Sequence, residues 1–235
     1  CIFDKNDDTP SFIVNDKYLF DTGFALVNNL VNNGYNPTDI KYLFFTHMHH
    51  DHYMSLPSLL FYYVQTGADI RELKIIGPRQ DVKRIVKKAM DFLEITKFWK
   101  DAGEPEIIEM DGGDSYETED MIFETVPSNH PVQGMCYRIT DKNSKKVICA
   151  TGDTAVNDAL PLFFNNCDAL IHEISWGYRE NPYGSKLPSG HSTVSEAIKL
   201  AQGVDAKKIF FVHNSRSTTD QAVKDARTLN LNAIN

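Results

Sequence analysis

The stretch Tyr42-Leu43-Phe44-Phe45-Thr46-His47-Met48-His49-His50-Asp51-His52 decides how the rest of the chain is read. Its first half is an apolar, aromatic-rich run of strand length. Its second half places four histidines and an aspartate directly behind that strand, at the end where α/β sheets usually bind ligands. Imidazole nitrogen combined with carboxylate oxygen suits zinc, manganese or iron, and the donor types alone do not choose among them. His47 and His49, two residues apart, can point the same way and serve one ion. Adjacent Asp51 and His52 can serve a second. Two ions about 3.5–4 Å apart can share a bridging hydroxide and clamp the attacking and leaving oxygens of a displacement. His50 is expected to face solvent or to support the ligands. The plain alternative is a histidine-rich surface loop that meets metal only by accident.

Further signals stand downstream, each behind an apolar run. Ser128-Asn129-His130 follows Met121–Val126, Thr151-Gly152-Asp153-Thr154 follows Val147–Ala150, and His213 closes Phe210-Phe211-Val212. Singly, each has an ordinary reading: a loop histidine, a turn or helix-cap aspartate, a polar end to a buried strand. Their joint order with His47-x-His49-x-Asp51-His52 resembles the metallo-β-lactamase superfamily of metallohydrolases. That resemblance covers nearly the whole chain. It implies an α/β fold, the αββα sandwich, with His47, His49 and His130 on a first divalent ion, Asp51, His52 and His213 on a second, and Asp153 bridging both.

Two more features narrow the expected chemistry. Glu173 follows Ala169-Leu170-Ile171-His172, and Gly190-His191-Ser192-Thr193 precedes Val194–Ala201, which carries apolar residues at helical spacing. Thr193 with Glu196 forms a capping-box pattern that sets the helix start. His191 therefore lies just ahead of a helix N-terminus, which favours anions and by itself disfavours a charged imidazole. Glu173 can offset this, and a histidine paired with a carboxylate is a natural general acid. The His172-Glu173 pair and the Gly-His-Ser-Thr segment resemble the phosphodiesterase branch that includes ribonuclease Z. The resemblance implies a binuclear hydrolase in which a metal-bridging hydroxide attacks phosphorus, Asp51 helps orient the nucleophile, and His191, paired with Glu173, protonates the leaving group. The plainer view makes Glu173 a solvated strand end and His191 a cap neighbour.

The departures from ribonuclease Z bear on the substrate. Its transfer-RNA-processing members carry a long arm between the third-histidine and Gly-Asp motifs. Here Tyr137–Thr140, the polar residues 141–146 and Val147–Ala150 read as a plain hairpin. With 24 Lys plus Arg against 32 Asp plus Glu, the formal charge is −8, whereas nucleic-acid binders usually show a basic footprint. Lys83, Arg84, Lys87 and Lys88 cluster, but among apolar residues at helical spacing they read as a solvated helix face. A small phosphodiester, or an exposed nucleic-acid end, is therefore the expected substrate rather than folded transfer RNA. Competing expectations are lactone or thioester hydrolysis by the same ions, a ribonuclease Z-like endoribonuclease, and a non-catalytic metal-binding domain, which the complete ligand set disfavours.

Composition bounds the rest. With 235 residues, 42% of them hydrophobic, and no Pro- or Ser-rich linker, a single domain over 1–235 is expected. The resemblance implies an earlier strand and a Gly-Thr-rich loop, which are expected to be absent or cut off ahead of the strand candidates Ser11–Val14 and Lys17–Phe20. Asp21-Thr22-Gly23 resembles the family's early Asp-x-Gly and is expected to buttress the metal loop. Phe24–Asn32 reads as a helix stopped at Asn33-Gly34, and Leu73–Ile76 as a strand ended by Gly77-Pro78 ahead of another helix. Apolar runs stay well short of the roughly 18 residues needed to span a bilayer, so no membrane partner and a cytoplasmic location are expected; a homo-oligomer is left open. Cys1, Cys136, Cys149 and Cys167 lack Cys-x-x-Cys spacing and indicate neither a disulfide framework nor a thiolate site.

Overall fold

A computed structural model describes residues 9–179 and 190–234, which form two compact units: Asp8–Met110, and a second built on Asp111–Asn235. The first is a five-stranded sheet in the order β1-β2-β3-β4-β5. β1 (Phe12–Val14) and β2 (Tyr18–Phe20) form an antiparallel pair; β3 (Tyr42–Phe44), β4 (Lys74–Pro78) and β5 (Glu106–Met110) continue in parallel. Parallel strands need crossovers. These are α1 (Leu26–Asn32) before β3, α2 (His50–Tyr53) and α3 (Leu56–Thr66) before β4, and α4 (Asp81–Phe92) and α5 (Ile95–Phe98) before β5.

Strand alternation divides the side chains of this sheet between its faces. Leu19, Leu43 and Ile75 stand in register and join one core with Leu26, Leu59, Leu60, Val82 and Val86 from the helices. The alternate residues build an aromatic ladder, with Phe20 stacked on Phe12 at 4.6 Å and on Phe44 at 4.9 Å. The metal-loop strand β3 is thus pinned on both faces and between two neighbours, which makes its C-terminal end a rigid platform.

The second unit is a seven-stranded sheet in the order β12-β11-β10-β9-β8-β7-β6. β6 (Ser115–Glu117), β7 (Met121–Pro127), β8 (Met135–Asp141) and β9 (Val147–Ala150) are antiparallel neighbours, while β10 (Ala169–Glu173), β11 (Ile209–Val212) and β12 (Ala233–Ile234) extend β9 in parallel. α6 (Leu160–Phe163), α7 (Val194–Gly203) and α8 (Arg216–Thr228) make the crossovers. Leu170, Ile209 and Phe211 from the strands pack with Phe164, Ala197, Ala201, Ala222 and Val223 from the helices. The expected hairpin is present as β8 and β9, and α7 opens on the expected capping box: Glu196 N donates to Thr193 Oγ1 at 3.2 Å and Thr193 N to Glu196 Oε2 at 2.8 Å.

Two expectations change. β4 does not stop at Ile76 but runs through Gly77 and Pro78, paired with Glu109 and Met110, and the turn comes at Gln80 (φ 72°). Proline is tolerated because the β3 pairing ends at Phe44–Ile76, so Pro78 has no second strand awaiting its missing N–H. The second half of the metal loop is not irregular: residues 50–53 form one helical turn, entered from an extended His49. No helix among the described residues is long and apolar enough to cross a membrane. Cys136, Cys149 and Cys167 are buried free thiols.

Candidate metal and acid site

In the first unit the loop after β3 is organised by Asp21, a buried residue with φ of 51°. Its Oδ1 accepts from Thr46 N at 2.9 Å, and its Oδ2 accepts from Thr46 Oγ1 at 2.8 Å. His52 Nδ1 lies 2.8 Å from the same Oδ2. Because Thr46 spends its hydroxyl proton on Asp21, its oxygen is the acceptor for His47 Nδ1, 3.1 Å away. One carboxylate therefore sets the Nδ1–H tautomer of His52 directly and of His47 through Thr46, which leaves the lone pair of each ring on Nε2, away from Asp21. Thr22 N fastens the far end of the loop to His52 O at 2.8 Å, and Ser55 N bonds Gly23 O at 2.9 Å. The Asp21-Thr22-Gly23 segment is thus a clamp on the histidine loop.

His47 Nε2 and His49 Nδ1 face each other at 3.0 Å. Two nitrogens bound tetrahedrally at about 2.0–2.1 Å to one ion would stand about 3.3 Å apart, so this pair needs little movement to share a cation. Asp51 Oδ2 lies 3.9 Å from His52 Nε2, while His50 is exposed.

In the second unit the strand ends gather the other candidates. His130 follows β7, and its Nδ1 bonds Gly190 O at 2.6 Å. Gly190 has φ of 74°, and a Cβ there would lie 2.8 Å from Pro131 Cδ and 3.0 Å from His130 Nδ1. Only glycine lets the backbone carbonyl reach the ring. Burial dominates at His130 and lowers its pKa. Asp153 follows β9 and is buried; its Oδ2 lies 3.6 Å from His213 Nε2 and 3.8 Å from His191 Nδ1. Ligand atoms of Asp153, His191 and His213 all lie within 4.8 Å of one another, a spacing that one cation could bridge.

Glu173, at the end of β10, is buried and has its oxygens filled: Oε1 accepts from Ser192 N at 2.8 Å and Thr154 N at 3.2 Å, and Oε2 from Ser175 N at 2.7 Å. His191 Nδ1 completes the set at 3.2 Å from Oε1. Burial alone would depress the His191 imidazole, but the hydrogen bond and charge of Glu173, aided by Asp153, prevail and raise its pKa. The motif neighbour His172 takes no part in this pairing. It is buried, bonds Glu173 O through Nδ1 at 2.6 Å, and its pKa is lowered by burial.

The first unit thus assembles His47, His49, Asp51 and His52, and the second assembles His130, Asp153, Glu173, His191 and His213. The donor set, imidazole nitrogens with orienting partners plus carboxylates, fits divalent ions of the zinc type. Sequence analysis missed Ser175, whose hydroxyl is bonded to His213 Nδ1, and Thr46. Neither carries a sequence signal beyond standing next to a motif.

Comparison with known proteins gives this geometry a setting. The family description "Beta-lactamase superfamily domain" matches residues 16–214. A ribonuclease Z of Picrophilus torridus is 23% identical over 247 residues, covering 86% of this chain and 77% of its own. The metallo-beta-lactamase fold protein YhfI of Bacillus subtilis superposes with a TM-score of 0.77 at 23% identity, over 98% of this chain and 88% of that one. A diphosphatase of the PhnP family gives 0.66 at 18% identity, over 95% and 78%. The expected fold class, the α/β metallo-β-lactamase fold, is the one found.

Proposed function

This chain belongs to the beta-lactamase superfamily and is a metal-dependent hydrolase, and on that premise we propose that it cleaves phosphodiesters. The observation that carries the proposal is the buried Glu173 holding His191 beside Asp153. A carbonyl ester with a good leaving group has little need of such an acid; an alkoxide leaving from phosphorus does.

The metal assignment rests on motif order and on the oriented rings: His47, His49 and His130 for a first ion, Asp51, His52 and His213 for a second, Asp153 for both. When bound, two such ions supply Lewis-acid charge and a water that is nucleophilic at neutral pH. The residues of the chain do the rest. Asp21, through Thr46 and His52, holds the imidazoles in register. Asp51 helps orient the attacking water. The attacking water gives up one proton to solvent; as its oxygen adds to phosphorus and the bond to the leaving oxygen breaks, His191 delivers its own proton to that oxygen. Glu173 keeps the ring charged until then and its Nδ1 side occupied, so Nε2–H is the donor.

A small diester or an exposed nucleic-acid end is the favoured substrate. Residues 142–146 make only a tight link between β8 and β9, with Lys145 N bonded to Asp141 O at 2.9 Å, and the net charge is −8. Similarity to ribonuclease Z supports the nucleic-acid end within this range. The test is a panel of nitrophenyl phosphodiester, lactone, thioester and precursor transfer RNA, each assayed with zinc, manganese and iron. Diester cleavage with poor processing of the precursor is expected. Faster lactone or thioester turnover would overturn the assignment, and efficient salt-sensitive cleavage of the precursor at one position would overturn the substrate range.

A further inference from the structure

The turn after β10 makes two contacts that the mechanism above does not use. Ser175 donates its backbone N–H to Glu173 Oε2 at 2.7 Å, and its hydroxyl is hydrogen-bonded to His213 Nδ1. His213 sits at the end of β11 with φ of 65°, a region that non-glycine residues seldom adopt. The two turns are cross-tied: Ile174 N bonds Val212 O at 3.0 Å, and the Asn214 side-chain amide donates to Ile174 O at 2.7 Å and Ser175 O at 3.2 Å. Ring and hydroxyl are therefore brought together by backbone, not by a chance rotamer.

A histidine can present Nε2 to a cation only if Nδ1 carries the proton, and the group bonded to Nδ1 decides this. His47 has Thr46, His52 has Asp21 and His130 has Gly190 O in that role. We propose that Ser175 is the corresponding positioning residue for His213. Its oxygen accepts from His213 Nδ1–H, leaving Nε2, 3.6 Å from Asp153 Oδ2, as the ligand atom. The inference rests on the metal assignment above, and its test separates the two.

Apo protein is titrated with zinc in the absence of substrate, comparing wild type with Ser175→Ala, Ser175→Thr and Ser175→Val. Threonine and valine have nearly the same shape and differ in the hydroxyl, so the pair stays informative if the alanine variant folds poorly. Wild type is expected to bind two ions. Alanine and valine should weaken one of them about 10–100-fold while sparing the other, and threonine should restore it. At saturating zinc the alanine variant should keep the wild-type ratio of rates on alkyl and nitrophenyl diesters, because the backbone N–H at 175 still holds Glu173. Two ions bound equally well by wild type and the valine variant, or a threonine variant as weak as valine, would overturn the role of Ser175. A wild type that binds fewer than two ions would overturn the metal assignment itself, and this inference with it.

Discussion

Removing the His191 ring tests the choice of chemistry, because the structure separates its loss from a collapse of the site. The side chain is 26% exposed and is anchored at Glu173. In His191→Ala, Glu173 keeps its three backbone donors at Thr154, Ser175 and Ser192, so the carboxylate stays satisfied and the loop stays in place. Fold and zinc content should therefore be unchanged. A general acid contributes about 10²–10⁴-fold, which is about 2.7–5.4 kcal/mol of barrier. That loss should appear in full on diesters with alkyl leaving groups. On nitrophenyl diesters it should be under about tenfold, since nitrophenolate departs without a proton. The assay is kcat on matched alkyl and nitrophenyl diesters at saturating zinc, with metal content measured on the same samples. Glu173→Gln is a useful companion: its amide NH₂ must face a backbone donor at either oxygen position, costing about 1–3 kcal/mol of stability and removing the charge that sustains the His191 proton. Equal losses on both leaving groups, or an ion lost with the ring, would make His191 a ligand or scaffold residue and remove the preference for phosphodiesters.

Asp21→Asn leaves one of its bonds to Thr46 or His52 facing the wrong group, and zinc affinity should fall about 10–100-fold; unaltered zinc titration would show that the clamp is dispensable. Gly190→Ala introduces a Cβ 2.8 Å from Pro131 at a φ of 74°, and should destabilise the fold by roughly 1–3 kcal/mol in denaturant melts while displacing His130; a variant as stable as wild type with full zinc content would refute this. Asp168, away from the site, has its pKa lowered first by hydrogen bonds from Lys146 and Lys207, then by Val147 N. A depressed carboxylate stabilises the fold above its unfolded value of about 3.9 and ceases to do so as pH falls toward the lower native value. Asp168→Asn should thus lower the unfolding midpoint at pH 7, with the difference from wild type shrinking below about pH 4. A constant difference across that range would exclude the carboxylate charge as its cause.

Much of this protein is local information. The run from Tyr42 to Thr46 is mostly apolar and aromatic because its strand is buried on both faces, and the polar cluster behind it stands out against that run as a candidate site. Thr193 and Glu196 announce the start of α7 because a capping box needs only its own four residues. The same locality misleads at Gly77-Pro78, where dipeptide preference predicts a turn. Only the end of the neighbouring β3 pairing makes proline harmless in the strand.

The sequence by itself determined the family, the order of the strands behind which the candidate ligands stand, and the residue types able to hold a cation. Tertiary structure alone decided which partners make those residues work: Asp21 with His52 across 31 positions, Gly190 with His130 across 60, Ser175 with His213 across 38. It also divided the adjacent His172 and Glu173, sending the imidazole to the backbone carbonyl of Glu173 and the carboxylate to His191. The physical reason is that a ligand's identity is written in its own side chain, whereas its tautomer, its proton and its orientation are set by the atom at the other ring nitrogen, which the chain supplies from wherever the fold brings it.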